Sequence, residues 1–76
     1  MSLNYNERLK SIKLNITFYR KKAGLTQEQL AEKINISRTH MSNIEAVNMK
    51  TAVTVEILYE IADALGVDIV KFFELR

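Results

Sequence analysis

Apolar residues recur along this chain at three- and four-residue steps, and nowhere does apolar/polar alternation persist, so the pattern predicts an all-α protein. The first stripe, Leu9, Ile12, Ile16, Tyr19 and Ala23, lies on one face of a helix over about 6–23. Asn4 with Glu7 three residues on has the spacing of a capping box, and Gly24 is a stop that tolerates the left-handed region. Thr26 is the next N-cap, opening a short helix over about 27–34 whose inward side is Leu30, Ala31 and Ile34. Asn35 can turn the chain sharply, because asparagine accepts positive φ better than other non-glycine residues. Ser37 then caps a helix over about 38–46, with Met41 and Ile44 inward and Arg38, Thr39, Ser42 and Asn43 outward. After a looser stretch from Val47 to Val53, Thr54 caps a helix over about 55–65, with a stripe of Val55, Leu58, Ile61, Ala62 and Leu65 that Gly66 ends. Asp68 caps a last short helix over about 69–74.

Composition narrows the class. The 76 residues are 47% hydrophobic and 26% charged, with two glycines and no proline, which suits one packed helical domain over 1–76 and leaves no room for a second. No cysteine is present and His40 stands alone, so neither a disulfide scaffold nor a metal site is expected. No apolar run approaches the ~20 residues of a membrane span, and the first ten residues are too polar for a signal peptide. A cytoplasmic protein without cofactor or membrane partner is the expectation. No glycine-rich phosphate loop, cysteine nucleophile or paired carboxylates in a cleft can be discerned, which argues against an enzyme, and no small-molecule ligand is evident. The net charge is only +2, yet residues 1–40 carry eight Lys/Arg against three Asp/Glu and residues 41–76 carry three against six. The N-terminal half therefore either offers a basic surface to phosphates or is simply a mixed solvated surface.

Two short helices joined by a turn of about three residues have the spacing of a DNA-reading helix-turn-helix. Small Ala31 allows close approach at the crossing, Asn35 makes the corner, and Leu30, Ile34, Ile36, Met41 and Ile44 lock the second helix with its polar face outward. Short polar side chains suit the major groove, where base edges need hydrogen-bonding partners. Any three-helix core could share the apolar pattern, so the spacing by itself leaves both readings open.

The residues themselves add more. Gly24-Leu25-Thr26-Gln27-Glu28-Gln29-Leu30-Ala31-Glu32-Lys33, followed by Ile36-Ser37-Arg38-Thr39-His40-Met41-Ser42-Asn43-Ile44-Glu45, resembles the Xre/Cro family of phage-repressor-like regulators. Ile61-Ala62-Asp63-Ala64-Leu65-Gly66-Val67 is similar to that family's fourth helix and its exit, so the resemblance runs from about Ile16 to Glu74. It implies a five-helix lambda-repressor-like fold binding double-stranded DNA. It implies that Gln27, at a helix start, holds a phosphate, with Ser37 a second phosphate candidate. Arg38, Thr39 and Asn43 would reach base edges, with Ser42 and His40 nearer the rim; Arg38 either pairs with guanine or grips phosphate. Arg20 and Glu45 match a pair that bridges the first and third helices in this family. After Glu45 the chain departs from the family pattern, lacking the usual glycine and basic residues and running about two residues longer. Asn48, Lys50 and Thr51 are the remaining phosphate candidates there.

These readings imply a small homodimeric repressor that places two recognition helices on a roughly palindromic operator, although activation fits equally. Phe72, Phe73, Val47 and Met49 are the candidates for a dimer contact, with one phenylalanine either on that surface or covered. The alternative is a protein-interaction or antitoxin-type module with weak DNA binding.

Overall fold

The computed structural model describes residues 4–75, so the expectations that touch residues 1–3 and 76 lie in part outside the described residues. Helix α1 spans Tyr5–Lys22, α2 Gln27–Lys33, α3 Arg38–Glu45 and α4 Val55–Leu65, and a 3-10 helix covers Ile69–Phe73. No strand occurs among the described residues. Each element opens on a short polar side chain that accepts a backbone N–H of its first turn: Asn4, Thr26, Ser37, Thr54 and Asp68. Thr26 and Gln29 close a full reciprocal capping box. Asn4 and Glu7 do so only in part, since Asn4 Nδ2 donates to the Glu7 carboxylate at 2.9 Å.

Three of the four connections between elements use one device, the exception being the loop between α3 and α4. Gly24, Asn35 and Gly66 sit at φ +77°, +60° and +68°. In each case the residue's own N–H and that of its successor reach back to carbonyls three and five positions earlier, as in Gly24 to Lys21, Leu25 to Arg20, Asn35 to Glu32 and Ile36 to Ala31. The apolar successors Leu25, Ile36 and Val67 drop against the core, so the same bonds that end a helix also aim the next segment. Asn35 is thus the corner of the helix-turn-helix for a local reason.

Ile16, Leu30, Ala31, Ile34, Met41, Ile44, Leu58, Ile61, Ala62 and Phe72 form the buried core. The expected helix over 69–74 is instead a 3-10 helix over Ile69–Phe73, docked on α1. Asn15 Nδ2 donates to the carbonyl oxygens of Phe72, at 2.9 Å, and Glu74, and Ser11 Oγ donates to Glu74 O at 2.9 Å. These bonds satisfy carbonyls at the end of the segment and hold it along α1.

That docking corrects one expectation. Phe72 is not a dimer residue: it is 0% exposed, wedged into the core with its ring edge-on to Tyr19 at 6.2 Å between centroids. Phe73, one residue on, points away and is 55% exposed. Val55, expected on the inward stripe of α4, also lies outside, in the first turn where the helix has not yet reached the core. Polar α1 residues entered the interior instead: Ser11, Lys13, Asn15 and Arg20 are all buried. Each has a carbonyl or carboxylate partner, and no buried side-chain nitrogen or oxygen among the described residues lacks one.

Candidate nucleic-acid interface

Helix α3 sorts its residues by face. Met41 and Ile44 are fully buried, whereas Arg38, Thr39 and Ser42 are exposed and His40 and Asn43 half-buried at the edge. Its first turn holds no acidic residue, so the positive end of the helix is left for an external anion. Ser37 Oγ accepts from His40 N at 3.0 Å, which leaves its O–H as the group a phosphate could use.

The one carboxylate on α3, Glu45, is turned inward and neutralised. Arg20 Nε donates to Glu45 Oε2 at 2.7 Å and Arg20 Nη2 donates to Oε1 at 3.0 Å, with side chains only 9% and 3% exposed. Arg20 Nη1 also donates to Leu25 O at 2.7 Å, and Thr17 Oγ1 donates to Glu45 Oε1 at 2.9 Å. A planar guanidinium set two-pronged against a carboxylate fixes direction as well as distance. Helix α3 is therefore oriented on α1 from its C-terminal end.

Gln27 belongs to this cluster. Its Nε2 donates to Glu45 Oε1 at 3.1 Å, and the residue is half-buried at the start of α2. One amide N–H is thus engaged, which leaves the second N–H and the amide oxygen for another partner. The same carboxylate ties the end of α3 to the amino terminus of α2.

Sequence reasoning missed Lys13. It is 1% exposed, and its Nζ donates to Ile44 O at 2.8 Å and Asn43 O at 3.1 Å, capping the negative end of α3 with an ammonium. The available signal was positional: Lys13 stands four residues after Leu9 and three before Ile16, on the edge of the apolar stripe. Burial pushes the Lys13 ammonium below its ordinary pKa of 10.5. In the window between its folded pKa and 10.5 the unfolded chain binds more protons, so stability rises with pH there. Lys13→Met keeps the chain length without the charge, and chemical denaturation across that window is expected to show the alkaline rise abolished. A rise of wild-type size in the variant would assign it to another group.

The loop after α3 presents Asn48 and Lys50 to solvent, with Thr51 half-buried, and Val47 and Met49 are exposed. These stand beyond the C-terminal end of α3 and are not gathered with the Gln27–Glu45 cluster. Among the described residues no group of His, Asp or Glu is arranged to hold a metal ion, and no helix is long and apolar enough to cross a membrane.

A helix fixed at its C-terminal end, presenting a polar and carboxylate-free face beside a tight corner, defines a helix-turn-helix, and the family model described as Helix-turn-helix matches residues 16–72. The chain belongs to this Xre/Cro-like helix-turn-helix family and is a DNA-binding transcription regulator. Among solved structures it is similar to a variant of the restriction-modification controller protein C.Esp1396I, at 37% identity and TM-score 0.75 over 86% of this chain and 84% of that one. A second variant of the same controller has 33% identity and TM-score 0.76 over 95% of this chain and 86% of its own. The hypothetical transcription factor NHTF from Neisseria shares the fold, at 24% identity and TM-score 0.79 over 99% of this chain and 85% of that one. Comparison with curated proteins gives no match.

Proposed function

We propose that this single-domain, lambda-repressor-like protein is a small cytoplasmic homodimer that reads a roughly palindromic operator by laying α3 in the major groove. The observation that carries this reading is the sorting of α3, whose only carboxylate is buried against Arg20 while Arg38, Thr39 and Ser42 stand exposed. Arg38 would read guanine through O6 and N7 and Asn43 adenine, with Thr39, Ser42 and His40 completing the face. Gln27 and Ser37 hold phosphates on one side, and Asn48, Lys50 and Thr51 are the contacts from the loop. Phe73, Val47 and Met49 remain exposed apolar candidates for the contact between copies. Identity of 37% to a restriction-modification controller favours that kind of role over other small regulators. Neither catalysis nor a cofactor has a part in this reading.

Selection of bound duplexes from a random pool tests it. An enriched sequence is expected, and Arg38→Ala or Asn43→Ala should relax preference at one base pair each by about 1–3 kcal/mol. Gln27→Ala should weaken all sequences alike. Equal losses on every duplex for all three variants would remove Arg38 and Asn43 as readers. A protein-interaction module built on the exposed apolar residues would instead enrich nothing, and its binding would barely respond to salt.

A further inference from the structure

Between the first half of α1 and the loop after α3 lies a cleft of about 260 Å³. Pockets for drug-sized ligands span about 300–1,000 Å³, so this one suits a smaller molecule. Lys10, Lys13 and Lys50 line it and no carboxylate does. Glu7, the neighbouring acidic residue of α1, is engaged by Asn4 instead. The ion pairs among the described residues are Arg20–Glu45 and Lys71–Glu74, so none of the three lysines has a counter-charge within ion-pair distance. For Lys10 and Lys50, which are exposed, water makes this cheap. Lys13 is different, because it is 1% exposed. Two of its three N–H groups meet Asn43 O and Ile44 O, and a helix end returns only about half an elementary charge. A buried, partly compensated cation thus underlies a cleft whose remaining wall is apolar: Leu9, Val47 and Met49.

We infer that this cleft is an effector site for a small organic anion with an apolar body, of the class of a medium-chain carboxylate. The carboxylate accepts from the Lys10 and Lys50 ammonium groups and from the amides of Asn6 and Asn48, which also line the cleft. Its chain covers Leu9, Val47 and Met49, the last two 40% and 44% exposed without it. The Lys13 charge attracts it through low-dielectric surroundings rather than by contact. An inorganic anion leaves the apolar walls wet, and a neutral apolar molecule leaves the cation uncompensated; only a molecule with both parts answers both. On this assignment Val47 and Met49 serve the cleft, and Phe73 is left for the contact between copies. Asn48 and Lys50 are also the proposed loop contacts with DNA, so the bound anion competes with the duplex for them and lowers DNA affinity. That consequence rests on the DNA-reading assignment, whereas binding of the anion does not.

The experiment titrates the full chain, without DNA, with octanoate, 1-octanol and acetate, following backbone amide shifts by NMR. Octanoate is expected to saturate with a dissociation constant on the order of 1 mM, its shifts centred on Asn6, Leu9, Lys10 and residues 47–50. Octanol and acetate should each bind at least about tenfold more weakly, because each lacks one half of the recognition. Lys10→Gln with Lys50→Gln, and separately Met49→Glu, change exposed residues and should weaken octanoate about tenfold, while Lys33→Gln, on α2, leaves it unchanged. Octanol binding as tightly as octanoate overturns the site as one for anions, and acetate binding as tightly reduces it to a cationic patch. Absence of saturation, or shifts centred elsewhere, also overturns it, as does octanoate affinity that falls with rising protein concentration, since a second copy then covers the cleft. With a duplex taken from pool selection, octanoate should lower DNA affinity several-fold where the same concentration of acetate does not. Equal effects of the two overturn the effector role. A protein that binds octanoate as expected but selects no duplex overturns the DNA reading and leaves the anion site standing.

Discussion

Glu45→Ala is expected to lower the unfolding free energy by about 3–5 kcal/mol, because it leaves the buried Arg20 guanidinium without its counter-charge. For a domain of this size each kcal/mol moves the melting temperature by about 4–8 °C, so thermal denaturation followed by circular dichroism should show a large drop or no folded baseline. The loss is greater than for a surface ion pair, since both side chains are shielded from water and Thr17 and Gln27 also lose their acceptor. Replacing both partners with apolar residues, as in Arg20→Met with Glu45→Leu, removes the unpaired charge and is expected to recover part of the stability. It should not recover base preference, because α3 and Gln27 would no longer share an anchor. A Glu45→Ala protein that melts with wild type would show that the pair does not hold α3.

The second large effect separates two adjacent phenylalanines. Phe72→Ala is expected to cost about 3–5 kcal/mol by the same thermal measurement, since it empties a fully buried aromatic site where the 3-10 helix meets α1 and α4. Phe73→Ala, at an exposed position, should change the melting temperature of the monomer little. In the homodimer proposed above, it should shift sedimentation toward monomer at low protein concentration. Similar stability losses for both would mean that the segment turns both rings inward in solution.

The two effects meet in α1. The helix holds the 3-10 segment by Ser11 and Asn15 on one side and orients α3 by Lys13, Thr17 and Arg20 on another. Buried polar side chains at these positions give a small core directional fixings that apolar contacts alone lack, and a recognition helix has to be held in direction to read bases.

The corner of the helix-turn-helix was legible in the sequence because it depends on neighbours. Thr26 and Ser37 cap the turns that follow them, and Asn35 takes positive φ where the chain must bend. Met41 and Ile44 face inward by helical period alone. The Arg20–Glu45 pair was legible only through resemblance, since nothing local joins residues 25 positions apart. Lys13, Asn15 and Ser11 were not legible as interior residues. Hydropathy places such side chains outside, and what brings them in is a set of helix-end carbonyls supplied by α3 and the C-terminal segment.

What the amino-acid order alone determined is therefore the set of helices, their caps and corners, and the polar face of α3, because each follows from interactions within about one helical turn. Only the tertiary structure decided which phenylalanine is core, that the last element is a 3-10 turn docked on α1, and that Gln27, Arg20 and Glu45 form one cluster while Lys13 closes the end of α3. Those outcomes depend on which carbonyls and charges distant segments bring together, a matter of packing that no periodicity along the chain encodes.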